Sequence, residues 1–199
     1  MKRGIKAIIF DVGGVLELTH YAKIPNQGHK LLSVHSYISK KLNISLDDWF
    51  DSIDSVYGDS MAGKISEKKT LSIISKNLNK SPKKISKILI AAYRKNFKDN
   101  KKLYKKAYEL KKKGYKIAIL SDQWPPSKKA LMPEKYTKHF DSVIVSCDVG
   151  VRKPNPKIYR MVLKQLHLPA KSTLFIDNRE WNLVPARKIG MKTFLFKNN

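Results

Sequence analysis

Apolar positions along the chain fall into two periods. Ile5, Ala7, Ile8, Ile9 and Phe10 form an apolar run that stops at Asp11, the pattern of a strand buried on both faces in a parallel sheet. From about residue 28 the period becomes helical. Leu31, Val34, Ile38 and Leu42 recur at three- and four-residue spacing, and Ser45 with Asp48 is a capping-box pattern opening a second helix that carries Trp49, Ile53 and Val56. A third helix follows Gly63 and Ser66, with Leu71, Ile74 and Leu78 on its face. Ser81 as N-cap and Pro82 at the first helical position open a fourth. No strand signal interrupts residues 20–98.

Beyond that block strand and helix alternate. A lysine-rich helix carrying Leu103, Ala107 and Leu110 ends at Gly114, and "YKIAIL" reads as a strand. Next come a short helix near Lys128–Leu131, the strand "SVIVS" and a helix over Ile158–Leu166. The strand "TLFID", a helix to Ile189 capped by Gly190 and the strand "KTFLF" complete the series. Such alternation predicts an α/β fold built on a doubly wound parallel sheet. The first strand belongs to that sheet, so the chain divides into a discontinuous core, 1–19 with 99–199, and an inserted all-helical cap, 20–98.

The 199 residues suffice for one sizeable core, and 42% hydrophobic content fits a packed protein. A single cysteine, Cys147, excludes an intramolecular disulfide. No stretch approaches a membrane span, and Lys23 and Pro25 come too early for a secretory signal; the expectation is a soluble cytoplasmic protein. A formal net charge of +25 would draw nucleic acid or other polyanions. Its lysines are spread from Lys23 to Lys197 with no nucleic-acid-binding signature, which favours lysine-rich solvated helix faces over a polyanion partner.

Ligands of open parallel sheets bind beyond the carboxyl ends of the strands. Asp11 follows the first strand, Ser121 and Asp122 the second, "CDVGVRKPNP" with Lys153 the third, and Asp177 and Asn178 the fourth. Carboxylates that hold Mg²⁺, with a hydroxyl and an ammonium that neutralise phosphate oxygens, suit phosphoryl chemistry. Each residue alone also fits a plainer role: Asp11 as a turn residue, Ser121 and Asp177 as helix N-caps, Lys153 as a solvated loop lysine. Their order, each at a strand end, is what singles them out. Gly13 and Gly14 belong to neither a dinucleotide nor a P-loop signature.

"FDVGGVL", "ILSD", "VGVRKPNPKIY" and "LFIDNREWNLVPARKIGM" together resemble the four motifs of the haloacid dehalogenase-like hydrolase superfamily, with the helical block where that family places its first type of cap. The nearest flavour is the small sugar-phosphate phosphatases with glycine in place of the second acid of the first motif. The resemblance implies that Asp11 is the nucleophile, forming an aspartyl-phosphate. It implies Mg²⁺ held by Asp11, the Gly13 carbonyl and Asp177, with Asn178 orienting a metal-bound water. Ser121, Asp122 and Lys153 would meet the substrate phosphate, and Lys153 would keep Asp11 and that phosphate from repelling one another. Gly13 can offer a carbonyl but cannot shuttle a proton, a function worth on the order of 10²–10⁴-fold. Glu17, His20 and Asp122 are the nearby substitutes.

Three functions follow from this pattern. One is a Mg²⁺-dependent phosphatase of a small phosphorylated metabolite, a sugar 1-phosphate being favoured because its anomeric leaving group departs easily. A second is a metal-independent 2-haloacid dehalogenase; against it, Asp177 is a metal-binding type of fourth motif, and Arg94 alone in the cap could hold a carboxylate. The third is an inactive hydrolase fold that binds polyanions. Trp124-Pro125-Pro126, just after Ser121, is a stiff aromatic element near the site, which fits a packed loop better than a shaped wall of the substrate pocket.

Overall fold

A computed structural model of the chain describes residues 4–19, 21–23 and 30–197. The first strand, β1 (Ala7–Phe10), is followed by β2 (Glu17–Thr19), β3 (Tyr21–Lys23) and β4 (Lys30–Leu32). Helices α1 (Ser33–Leu42), α2 (Leu46–Met61), α3 (Glu67–Leu78) and α4 (Pro82–Asn96) come next, and then β5 (Phe97–Asp99). The remainder is α5 (Lys101–Lys112), β6 (Lys116–Ser121), α6 (Pro125–Leu131), α7 (Glu134–Thr137), β7 (Ser142–Val145), α8 (Ser146–Val149), α9 (Pro156–Leu166), β8 (Thr173–Asp177), α10 (Glu180–Lys188) and β9 (Lys192–Leu195).

The main sheet runs β7-β6-β1-β8-β9 and its neighbours pair in parallel, so the alternating half of the chain forms the expected doubly wound α/β fold. Side chains of β1 alternate between its two faces, as the pleat requires. Ala7 and Ile9 join Ala118, Leu120 and Phe175 under α9 and α10. Ile8 and Phe10 face the other way, into a buried cluster that continues without a break through Trp124 to Val34, Ile38, Trp49, Ile85 and Leu89 of the inserted helices. Core and insertion are therefore joined by packing as well as by chain.

Local signals explain the insertion's helices. Asp48 N–H donates to Ser45 Oγ at 2.9 Å and Ser45 N–H to Asp48 Oδ2 at 3.2 Å, closing the capping box on α2. Ser81, by contrast, makes no side-chain cap bond, and α4 opens on Pro82 alone.

The insertion is not purely helical. Tyr21–Lys23 pairs antiparallel with Lys30–Leu32, so α1 starts at Ser33 and not near residue 28. Glu17–Thr19 pairs antiparallel with Phe97–Asp99 where the chain leaves and re-enters the sheet domain. Three-residue ladders carry too few positions to show a period of two, which is why hydrophobic patterning passes over them.

The Glu17–Asp99 register partners bring two carboxyl groups together between these connecting strands. Glu17 is buried and accepts from the Tyr104 hydroxyl at 3.1 Å, and the Tyr136 hydroxyl donates to Asp99. Burial, with the Asp99 charge adding to it, pushes the Glu17 carboxyl up to about 8. Between its ordinary value and that point the unfolded chain releases a proton that the fold keeps, so this group makes stability fall as pH rises through the window. Comparing thermal melts of the wild type and Glu17→Gln from pH 5 to pH 8 checks the sign: the wild type should lose stability relative to the variant as pH increases.

Candidate active site

The order of the main sheet places β1 between β6 and β8, so the ends of these three strands share one rim. Phe10 is level with Ile119 and with Ile176, and the Asp11 N–H donates to the Ile176 carbonyl at 2.9 Å, which sets Asp11 beside Asp177. Lys153 comes from the loop between α8 and α9. Its ammonium lies 3.0 Å from Asp11 Oδ1 and 2.7 Å from Asp177 Oδ2, with side-chain exposures of 1%, 9% and 0% for Lys153, Asp11 and Asp177. Burial would lower the Lys153 pKa, but Asp11, Asp177 and Asp122 outweigh it and hold the amine charged.

Asp177 is fixed from several sides. Its Oδ1 accepts the Arg179 N–H at 2.8 Å, and its Oδ2 accepts Asn182 Nδ2 at 3.0 Å. It is not the N-cap of α10; Arg179 holds that position, and Trp124 rather than Ser121 precedes α6. Ser121 is buried, hydrogen-bonds the Asp11 carboxyl and accepts Gln123 Nε2 at 3.0 Å. Asp122 Oδ1 accepts the Lys153 N–H at 3.0 Å, and burial raises its pKa.

These groups open on a cavity of about 470 Å³ that Asp11, Gly13, Asp122 and Lys153 line from the sheet side. His35, Tyr57, Met61 and Tyr93 line it from the insertion. The His35 ring accepts the Trp49 indole N–H at 3.0 Å and burial lowers its pKa to about 4, so it meets the cavity as neutral imidazole.

Sequence-derived candidates thus divide by location. Asp11, Gly13, Asp122 and Lys153 line the cavity, and Ser121 and Asp177 stand directly behind them. Asn178 packs instead against the backbone at Gly14: a Cβ there would lie 2.2 Å from Asn178 Nδ2, and Asn178 Oδ1 is buried with no hydrogen-bond partner among the described residues. Glu17 and Arg94 line a separate cavity with Asp99 and Tyr136. His20 lies outside the described residues. Trp124 is buried, donates its indole N–H to the Tyr93 hydroxyl at 2.9 Å and so supports the pocket wall without lining it. Patterning missed Tyr57, Gln123, Arg152, Arg179 and Trp181. The two arginines adjoin motif residues, but their side-chain directions are a tertiary property.

The lone pairs present are carboxylate, carbonyl and amide oxygens, the donor type that Mg²⁺ takes. One ammonium shared by Asp11 and Asp177 leaves the buried cluster net negative. Burial accordingly pushes the Asp11 carboxyl above its ordinary range against the pull of Lys153, and the partnerless Asn178 oxygen lies nearby in sequence. A divalent cation fits this set.

Gly14 has φ +83°, and its N–H donates to the Glu17 carbonyl at 2.7 Å. Gly14→Ala would meet both the left-handed backbone and the Asn178 amide, and is expected to cost about 1–3 kcal/mol in urea unfolding.

A family model described as haloacid dehalogenase-like hydrolase matches residues 5–190. The bifunctional epoxide hydrolase 2 of Rattus norvegicus is 36% identical over 104 residues, which are 50% of this chain and 19% of that protein. A glyceraldehyde 3-phosphate phosphatase of Pyrococcus abyssi is 32% identical over 90 residues, 44% of this chain and 38% of that one. The chain thus spans well under half the length of these curated relatives. Among solved structures, a HAD family enzyme from Bacteroides thetaiotaomicron superposes with TM-score 0.75 at 22% identity, covering 98% of this chain and 94% of its own. The same enzyme has been solved with magnesium and inorganic phosphate.

Proposed function

Because the chain belongs to the haloacid dehalogenase-like hydrolases, we propose that it is a phosphatase of a small phosphorylated metabolite, with Asp11 as nucleophile and Mg²⁺ as cofactor. One observation carries this: a buried ammonium holds two carboxylates, one of which faces a cavity large enough for a small substrate. The phosphatase and magnesium–phosphate relatives support the same chemistry.

An Asp11 oxygen attacks phosphorus as the ester P–O bond breaks, giving an aspartyl-phosphate and an alcohol; water then cleaves the acyl phosphate and restores the carboxylate. Lys153 favours the ionised form of Asp11 against the burial that raises its pKa, and offsets its repulsion of the incoming phosphate. Ser121 and Asn182 act by positioning, the first on Asp11 and the second on Asp177. Asp11, the Gly13 carbonyl and Asp177 are the groups to hold Mg²⁺, with Asn178 beside them. Bound there, the ion would supply positive charge to offset the negative charge of the phosphate.

The leaving alkoxide needs a proton that Gly13 cannot give. Of the substitutes, Glu17 belongs to another cavity, whereas Asp122 lines this one with a carboxyl whose pKa is raised. Asp122 is the proton donor in this scheme. Gly13 itself has no positive φ, and a Cβ there would meet nothing closer than Phe97 Cε1 at 4.0 Å, so the site has room for an added acid.

A screen of phosphate monoesters with and without Mg²⁺ tests the proposal. Asp11→Asn should lose at least about 10³-fold in kcat while keeping its circular dichroism; wild-type turnover in that variant overturns the assignment. Leaving-group dependence tests the proton source. Asp122→Asn should slow alkyl phosphates about tenfold or more and aryl phosphates much less, and Gly13→Asp should speed alkyl phosphates by a similar factor.

A further inference from the structure

The insertion contributes a hydrogen-bonded relay to the cavity wall. The Trp124 indole can only donate, and it donates to the Tyr93 hydroxyl at 2.9 Å. The Tyr57 hydroxyl is a hydrogen-bonding neighbour of Tyr93. Both phenols line the cavity. The Tyr57 ring is held in place by edge contact with Trp124, centroids 5.1 Å apart at 72°. Tyr57 thus brings to the cavity, from α2, a hydroxyl able to donate, carried on a ring held by packing.

Two guanidinium groups act on that phenol from the sheet side. Arg152 and Arg179 both line the cavity, and the charge of each is felt at the Tyr57 hydroxyl. Neither forms an ion pair with a carboxylate among the described residues, although Arg187 pairs with Glu180 close by. Arg152 touches Met61 Sδ at 3.6 Å, and Arg179 lies over the Trp181 ring at 5.4 Å. Trp181 is 62% exposed, a large aromatic that packing of the fold does not account for. The chain uses arginine sparingly: of 41 basic residues six are arginine, and two of those stand here. Arginine's planar fork suits carboxylate and phosphate. Here two forks, Arg152 with Asp122 among the charges near it, line one cavity with a phenol hydroxyl.

We infer that Tyr57, Arg152 and Arg179 form a second anion subsite in this cavity, and that the substrate carries a second oxyanion, carboxylate or phosphate, besides the phosphoryl group it loses. The inference deepens the phosphatase function proposed above and rests on it for the identity of the first anion. Lys153 is engaged by Asp11 and Asp177, so it belongs to the transferred phosphate and leaves the arginines to the other end of the molecule.

The probes are alkyl monophosphates, ω-phosphoalkanoates and α,ω-alkanediol bisphosphates of two to six carbons. Wild-type kcat/KM is measured on each with Mg²⁺, and affinity is measured calorimetrically on the Asp11→Asn chain. At a favoured length the doubly anionic ester should exceed the monoester by at least about tenfold in both assays, chiefly through KM. Arg152→Gln, Arg179→Gln and Tyr57→Phe should each shrink that ratio, while the exposed Lys83→Gln, which removes equal charge outside the cavity, should leave it intact. Carboxylate against phosphate at the second end distinguishes the two sources. Equal binding of singly and doubly charged esters, or a ratio that falls as much in Lys83→Gln, overturns the subsite. Discrimination in calorimetry without hydrolysis of any ester would instead overturn the phosphatase function and leave the subsite standing.

Discussion

A lysine ammonium sealed from water can persist only where carboxylates meet it, and the Lys153 contacts with Asp11 and Asp177 therefore constrain everything around them. Breaking such a buried pair typically costs about 3–5 kcal/mol, because the surviving charge is stranded. The triad also fixes relative positions across the sheet: Asp11 belongs to β1, Asp177 to β8, and Lys153 to the loop before α9. A shift of any one strand end would strand a charge. The same arrangement leaves one negative charge in excess, which makes a stabilising contact and a cation-attracting cluster out of the same three residues.

The cavity above the triad is built from two unlike halves. Its sheet side supplies ionic groups whose positions follow from strand register. The inserted helices supply neutral polar groups: the His35 ring set by Trp49 and the Tyr57 phenol packed against Trp124. Trp124 links the halves, since it follows β6 in the core yet anchors a phenol of α4. In the proposed phosphatase, reaction chemistry and substrate choice would fall to different parts of the chain.

Much of this was legible from residue order because strand ends in a parallel sheet are forced to share a rim. Once the apolar runs ending at Asp11, Ser121 and Asp177 were recognised as neighbouring strands, their proximity followed from topology. What escaped depended on side-chain direction or on very short elements. Glu17 is six residues from Asp11, yet the turn at Gly14 carries it into β2 and a different cavity. Arg152 precedes Lys153 directly, but nothing in the spacing tells that one side chain runs inward to the carboxylates while the other lines the mouth. The capping box at Ser45 was readable because both partners lie within one turn; the Tyr57–Tyr93–Trp124 relay spans 67 residues and was not.

The apolar cluster running from Ile8 and Phe10 through Trp124 into Trp49, Ile85 and Leu89 has a mechanical corollary. Swinging the inserted helices away as a rigid lid would peel several large side chains into water, at roughly 1.5–3 kcal/mol apiece. The margin of the cavity is built differently: there the exposed Trp181 indole and the Arg179 guanidinium lie against each other at the surface, outside that apolar cluster, so a change at either side chain leaves the interior seam untouched.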